Sequence, residues 1–173
     1  FAQYSFIANI DAMGKNIEWE FENKHPWSMS RGKKSGSWRT TELLEGKKCS
    51  INNTKIMIYY LGRDQKLKNT YTTSTGLISK DALDKLCGFK LYRGKHRIYP
   101  YGEIGGPSSE NGDWLGLTTL NINNTTAYFR HASLVAAAEV HPQTNPNIID
   151  MANRTGLQET PEKSQLITLL RAV

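Results

Sequence analysis

Alternating apolar and polar side chains near the start of the chain predict a β-hairpin. Residues 3–11 alternate well enough for one strand, and a Gly-Lys-Asn turn leads into residues 17–24. In this second segment Ile17, Trp19 and Phe21 share one face and the glutamates between them share the other, because side chains of a strand alternate between its faces. We therefore expect an antiparallel hairpin with one face toward water.

Apolar runs further along the chain predict the other strands. Residues 54–61 form one strand, and two short strands joined by a tight turn are expected around 89–93 and 96–100. Residues 132–140 are nearly all apolar or small, which is typical of a central strand covered on both faces, although the alanines would also suit a helix. These segments predict a mixed sheet of about five to seven strands.

Capping residues mark the helices that should back this sheet. One helix is expected over residues 79–88, from a serine cap to a terminating glycine. Another begins after Thr160, a capping residue, with Pro161 at its first position. Its inward face would carry Leu166, Leu169 and Leu170. The fold class is therefore α/β, of the α+β kind, with a mixed sheet backed by helices.

Length and composition indicate one domain over residues 1–173. Of the 173 residues, 38% are hydrophobic and 22% charged, which is ordinary for a single globular domain. The chain begins at Phe1 in an apolar segment and stops at Val173 inside a helical pattern. Natural termini are usually polar and frayed, so we expect both ends to be cut from a longer parent.

Charge suggests an acidic partner. The formal net charge is +6 at pH 7, and many of the basic residues fall within residues 31–48, a glycine- and serine-rich segment predicted to be an exposed loop. These residues are Arg31, Lys33, Lys34, Arg39, Lys47 and Lys48. One alternative function is therefore a nucleic-acid-binding module that uses the 31–48 loop. The other interpretation of such a segment is a solvated surface.

Cysteine usage and hydropathy predict a cytoplasmic protein with no membrane segment. The two cysteines, Cys49 and Cys87, are too few for a disulfide framework and are expected to be reduced thiols. No apolar run approaches the roughly 20 residues that a membrane helix requires.

A metal-dependent nuclease is a further alternative. Asp11, Glu22 and Lys24 resemble an arrangement in which two carboxylates hold a divalent metal and a lysine positions water. However, a Glu-x-Lys on a solvent-facing strand is common, so we expect the three residues not to converge. The four histidines show no metal-ligand spacing. They are His25, His96, His131 and His141.

Three ordered motifs in the second half of the chain carry a family resemblance. The first motif is Arg-Ile-Tyr-Pro-Tyr-Gly at 97–102, the second is Asp-Trp-Leu-Gly-Leu at 113–117, and the third is Asn-Arg-Thr-Gly-Leu at 153–157. In this order they resemble the region that follows the nucleotide-binding domain in gyrase-, heat-shock-chaperone- and histidine-kinase-like (GHKL) ATPases. The resemblance covers about residues 54–170.

The resemblance implies a transducer domain, which couples nucleotide state in an N-terminal ATPase domain of the same parent to downstream regions. The implied fold is that of ribosomal-protein-like second domains, with a left-handed crossover. ATP and magnesium would be bound by the parent, and the resemblance allows that parent to be a homodimer. The magnesium-binding asparagine box and glycine-rich lid motifs are absent from this sequence, so we expect no cofactor and no catalysis in this chain alone.

The resemblance also implies a site residue. In relatives a basic residue in the loop before the last helix reaches the γ-phosphate of ATP bound in the preceding domain. Arg154, beside Asn153, takes that position here. Its guanidinium would stabilise charge that develops on the phosphate oxygens. Alternatively, Arg154 bonds to loop carbonyls or pairs with Asp150.

Overall fold

The computed structural model of the chain describes residues 2–25, 28–61, 85–103, 112–119, 133–152 and 156–173. These residues form a mixed α+β fold around one sheet. The seven strands are β1 (Tyr4–Ile10), β2 (Asn16–Asn23), β3 (Gly32–Arg39), β4 (Thr54–Tyr60), β5 (Gly88–Arg93), β6 (His96–Ile98) and β7 (Leu134–Val140). Their order is β3-β2-β1-β4-β7-β5-β6. Because β5 runs parallel to β7 and all other neighbours are antiparallel, the sheet is mixed.

Few helices accompany the sheet within the described ranges. They are α1 (Thr40–Leu43), a single 3₁₀ turn (Leu117–Thr119) and α2 (Pro161–Ala172). The first predicted helix lies mostly outside the described residues, although Lys85 and Leu86 at its end are helical. Leu86 is 49% exposed. No helix in the described part of the chain is long and apolar enough to cross a membrane.

The predicted hairpin is confirmed. β1 and β2 pair over their length, from Ile10 opposite Ile17 to Tyr4 opposite Asn23. Ile17 is fully buried, whereas Glu18 and Glu20, which share the opposite face, are exposed. The strict period-two pattern therefore placed the side chains correctly, since a strand cannot put adjacent residues on one face.

The prediction of an exposed loop over residues 31–48 is wrong for residues 32–43, which form β3 and α1. Residues 32–39 form β3, which pairs with β2 along its whole length. Glycine and serine are weak strand formers, which is why the local sequence favoured a loop. At Gly36, side-chain packing outweighs that preference. A Cβ there would lie 2.7 Å from the Trp19 ring. Lacking one, Gly36 lets the indole of Trp19 pack against the backbone of β3.

The face of the sheet that carries Ile17, here the helix face, holds the core. Its buried apolar strand residues are Ala8, Ile10, Ile17, Ile56, Phe89, Leu91, Ile98, Leu134, Ala136, Ala138 and Val140. The three predicted leucines of α2, Leu166, Leu169 and Leu170, belong to the same cluster and are at most 3% exposed. Thr160 caps α2 as expected, because its hydroxyl accepts a bond from the Lys163 backbone N–H at 3.1 Å.

β7 is the predicted central strand, between β4 and β5. Its core-facing side chains are buried, but Glu139 on the opposite face, here the polar face, is exposed. The prediction that this strand is covered on both faces is therefore wrong for its polar face. A crossover would have to lie in the connection between the parallel strands β5 and β7, much of which lies outside the described residues, so its left-handedness stays a prediction.

Candidate functional site

Parts of all three motifs converge on Tyr101. This tyrosine follows β6 and is 5% exposed. Its ring centroid lies 4.5 Å from that of Trp114 in the second motif. Its hydroxyl oxygen accepts a hydrogen bond from the backbone N–H of Leu157, in the third motif, at 3.1 Å. One side chain of the first motif thus contacts the other two, and we call this group the Tyr101 cluster.

Trp114 ties this cluster to the sheet. Its indole Nε1 donates to the carbonyl of Phe89 in β5 at 2.6 Å, and the two rings meet edge to face with centroids 6.1 Å apart. Gly102 approaches the same carbonyl from the chain after β6. A Cβ on Gly102 would lie 2.4 Å from the Phe89 oxygen, and the backbone there has φ of +73°. The position therefore requires glycine.

The second motif also connects to α2. The Asp113 carboxylate accepts bonds from the backbone N–H groups of Leu117 and Thr118, both at 2.9 Å, and so caps the 3₁₀ turn. Between them, the carbonyl of Leu115 accepts a bond from Arg171 Nε in the last turn of α2 at 2.6 Å. The Tyr101 cluster is therefore linked through this short segment to the C-terminal end of the last helix.

Backbone hydrogen bonds close the base of the loop that contains the third motif. Asp150 and Leu157 form an antiparallel bridge, and the Met151 N–H donates to the Gly156 carbonyl at 2.9 Å. A Cβ on Gly156 would lie 3.3 Å from the Tyr101 hydroxyl, so the tyrosine packs closely against this base. The predicted site residues Asn153 and Arg154 lie outside the described residues, and contact of Arg154 with a phosphate stays a prediction.

Asp150, the alternative partner of Arg154, lies beside a different arginine. Its Oδ1 is 3.9 Å from Arg93 Nε, close enough for an ion pair but too long for a hydrogen bond. Neither atom has a hydrogen-bond partner among the described residues. The positive charge beside the Asp150 carboxylate therefore comes from Arg93 in β5.

Three further charged residues lie in or beside the first motif. Arg97 and Glu103 form an ion pair with each other, and the Arg97 guanidinium lies 4.7 Å from the centroid of the Tyr99 ring. Lys95 is exposed in the turn between β5 and β6. Arg97 and Glu103 thus largely neutralise one another, whereas Lys95 is exposed to solvent.

Lys90 is a buried charge that the sequence analysis missed. It lies in β5, is 8% exposed, and its Nζ donates to the backbone carbonyls of Lys85, Leu86 and Cys87. Burial lowers the pKa of Lys90, and the nearby positive charge of Arg97 lowers it further. A lysine within the apolar run Gly-Phe-Lys-Leu was the available signal. Its bonds to the end of a helical segment indicate a structural role.

The residues of the nuclease alternative do not converge. Asp11 lies in the β1–β2 turn, where its carboxylate accepts bonds from backbone N–H groups, whereas Glu22 lies opposite Ser5 near the far end of the hairpin. Six steps along β1 separate the two positions, roughly 20 Å at about 3.4 Å per residue. Glu22 pairs instead with Lys24 at 2.8 Å. Among the described residues, no group of three histidines, cysteines or acids could hold a metal ion.

Two basic residues of the nucleic-acid alternative lie on opposite faces of the sheet. Within β3, Lys33 and Lys34 project to opposite faces because they are adjacent in a strand. An open cavity of about 510 Å³ lies on the polar face. Its lining includes the exposed acids Glu18 and Glu20 together with Lys55. This mixed charge next to β3 disfavours a polyanion lying across the polar face.

No protein-family model, curated protein or solved structure matches the chain. The convergence of the motifs on Tyr101 is therefore the feature from which a function is inferred.

Proposed function

We propose that this chain is the transducer domain of an ATP-driven protein of the GHKL class, located in the cytoplasm, with the ribosomal-protein-like transducer fold and its left-handed crossover. The observation that carries the proposal is the position of Tyr101. It contacts Trp114 at 4.5 Å between centroids and accepts the Leu157 N–H at 3.1 Å. Three motifs that are separated along the chain thus meet at one side chain, Tyr101.

The Tyr101 cluster supplies a physical route for coupling. The base of the third motif bonds to Tyr101, Trp114 bonds to the Phe89 carbonyl in the sheet, and the neighbouring Leu115 carbonyl bonds to Arg171 of α2. A displacement of that base would therefore change contacts at the sheet and at the end of α2. Two such arrangements, favoured differently by ATP and ADP, are sufficient for a transducer.

The proposed chemical role belongs to Arg154, with Asn153 beside it. ATP and magnesium would be held by an ATPase domain preceding this chain in the parent, and Arg154 would reach the γ-phosphate from the loop that the Asp150–Leu157 bridge closes. Arginine suits this role because its planar guanidinium presents several donors to phosphate oxygens. The chain alone would bind ATP negligibly, and micromolar affinity in a calorimetric titration with ATP and magnesium would contradict that.

The decisive experiment uses the longer ATPase that the proposal requires. Arg154→Ala should slow ATP turnover by roughly tenfold to a thousandfold, because one charge-stabilising donor is removed from the transition state. Lys55→Ala, which removes an exposed charge of the same sign on β4, is the matched control and should leave turnover unchanged. Wild-type turnover in the Arg154→Ala protein would end the proposal.

A further inference from the structure

The two edges of the sheet differ in length and accessibility. One edge is β6, with three residues, and the other is β3, with eight. Residues 32–37 of β3 are all exposed, and no strand in the described ranges pairs with its outer side. An open edge presents a row of unpaired N–H and C=O groups on which an extended segment can add as a further strand.

The charge on this edge narrows the choice of partner. Residues 28–41 contain four basic residues and no acidic one. Three of the four, Lys33, Lys34 and Arg39, lie on β3 itself, and we call its outer side the basic edge. The pair between Lys33 and Glu22 is loose, at 3.9 Å, and the Lys33 side chain stays 74% exposed. Most of the positive charge on the basic edge is therefore available to a partner.

A second copy of this chain does not fit there. Pairing of two β3 strands would bring two sets of like charges to adjacent positions, and like charges directly opposite each other in a sheet are destabilising. Lysines on an edge strand discourage self-pairing for this reason. The same lysines would stabilise a strand of opposite charge.

We propose that the basic edge of β3 binds an extended acidic peptide segment of a partner protein by strand addition. The backbone of the segment would pair with the outer N–H and C=O groups of β3. Its acidic side chains would lie opposite the basic ones, each pair on one face of the extended sheet. This interaction does not depend on the proposed ATPase role.

The register of β3 predicts the pattern of acids in that segment. Lys33 and Arg39 project to the polar face, whereas Lys34 projects to the helix face with Gly36 and Trp38, because alternate residues share a face. A matching strand would carry two consecutive acids opposite Lys33 and Lys34 and a third opposite Arg39. The positions opposite Ser35, Gly36 and Ser37 carry no charge requirement.

Fluorescence anisotropy with a designed probe tests this inference. The probe is a labelled peptide of threonine and valine with glutamates placed to face Lys33, Lys34 and Arg39. It should bind the wild-type chain, and Lys33→Glu/Lys34→Glu should weaken binding by about tenfold or more, as expected for two reversed surface ion pairs. Replacing the two glutamates of the probe that face residues 33 and 34 by lysines, while keeping the one that faces Arg39, should restore binding to that variant. Circular dichroism would confirm that the variant is folded.

Two controls separate strand addition from simple charge attraction. Lys85→Glu/Lys95→Glu makes the same change in charge at exposed positions beside β5, on the other half of the sheet, and should not affect binding. Methylating alternate backbone amides on the pairing side of the probe keeps its charge but blocks the ladder, and should abolish binding. Unchanged affinity of the methylated probe would overturn the proposal. So would tighter binding of oligothymidylate that displaces the probe, because the basic edge would then be a nucleic-acid surface.

Discussion

The hydroxyl of Tyr101 accepts the backbone N–H of Leu157 at 3.1 Å, across 56 residues of sequence. Both residues are buried, with exposures of 5% and 1%. The hydrogen bond joins the chain after β6 to the base of the loop in which the third motif lies. Because a buried N–H without a partner is costly, this one contact should contribute measurably to stability.

Tyr101→Phe removes the acceptor and leaves the Leu157 N–H buried. We expect the free energy of unfolding to fall by about 1–3 kcal/mol, measured by urea denaturation. Tyr99→Phe is the matched control, because Tyr99 is 54% exposed, and its effect should stay within about 0.5 kcal/mol. Equal effects of the two substitutions would show that the Tyr101–Leu157 bond contributes nothing specific.

Gly102→Ala tests the close approach to β5. The substitution combines an unfavourable positive φ with a Cβ 2.4 Å from the Phe89 carbonyl oxygen, and it should cost roughly 2–5 kcal/mol. Gly46→Ala separates the two causes, because Gly46 has φ of +83° but no atom within 4 Å of the added Cβ. It should cost about 1 kcal/mol. The difference between the two unfolding free energies measures the steric part.

Leu169→Ala tests the packing of α2 on the sheet. Leu169 is completely buried in the core cluster, so truncation should cost on the order of 2–5 kcal/mol by thermal or chemical denaturation. Thr168→Ala, on the exposed side of the same helix, should change stability by no more than about 0.5 kcal/mol. A Leu169→Ala change as small as the control would mean that α2 does not stabilise this domain.

Asp11 should make stability depend on pH in the acid range. Burial by itself raises the pKa of Asp11, but backbone N–H groups of Lys15, Asn16 and Met13 bond to the carboxylate and hold its pKa below the usual value. Since the folded pKa is below the unfolded one, about 3.9, the stabilisation is present above that pH and is lost as pH falls through the folded pKa. Asp11→Asn should therefore destabilise the protein at pH 7, and its difference from wild type should shrink as the pH falls below about 3.9. A destabilisation that is constant across pH would contradict this origin.

Local patterns were sufficient for the parts of the fold that depend on neighbours in the sequence. The β1–β2 hairpin follows from strict alternation across residues 17–24, and the start of α2 follows from the Thr160 cap and Pro161. The signal for the hairpin is an alternating apolar face within one strand. The signal for the helix start is a capping interaction within one turn. Such signals do not require knowledge of what packs against them.

Tertiary pairing decided what local propensity could not. Residues 32–39 form a strand because β2 supplies a complementary ladder and Trp19 packs over Gly36, although glycine and serine favour loops in isolation. Asp11 and Glu22 are separated by the length of a hairpin, a distance that their residue types do not reveal.

The candidate site shows the same division. The order of the motifs and their residue types can be read from the sequence, but the position of Tyr101 between Trp114 and Leu157 cannot. That arrangement depends on hydrogen bonds and ring contacts between segments far apart in the chain. Sequence patterns report periodicity over a few residues, whereas contacts between distant segments are set by the packing of the whole core.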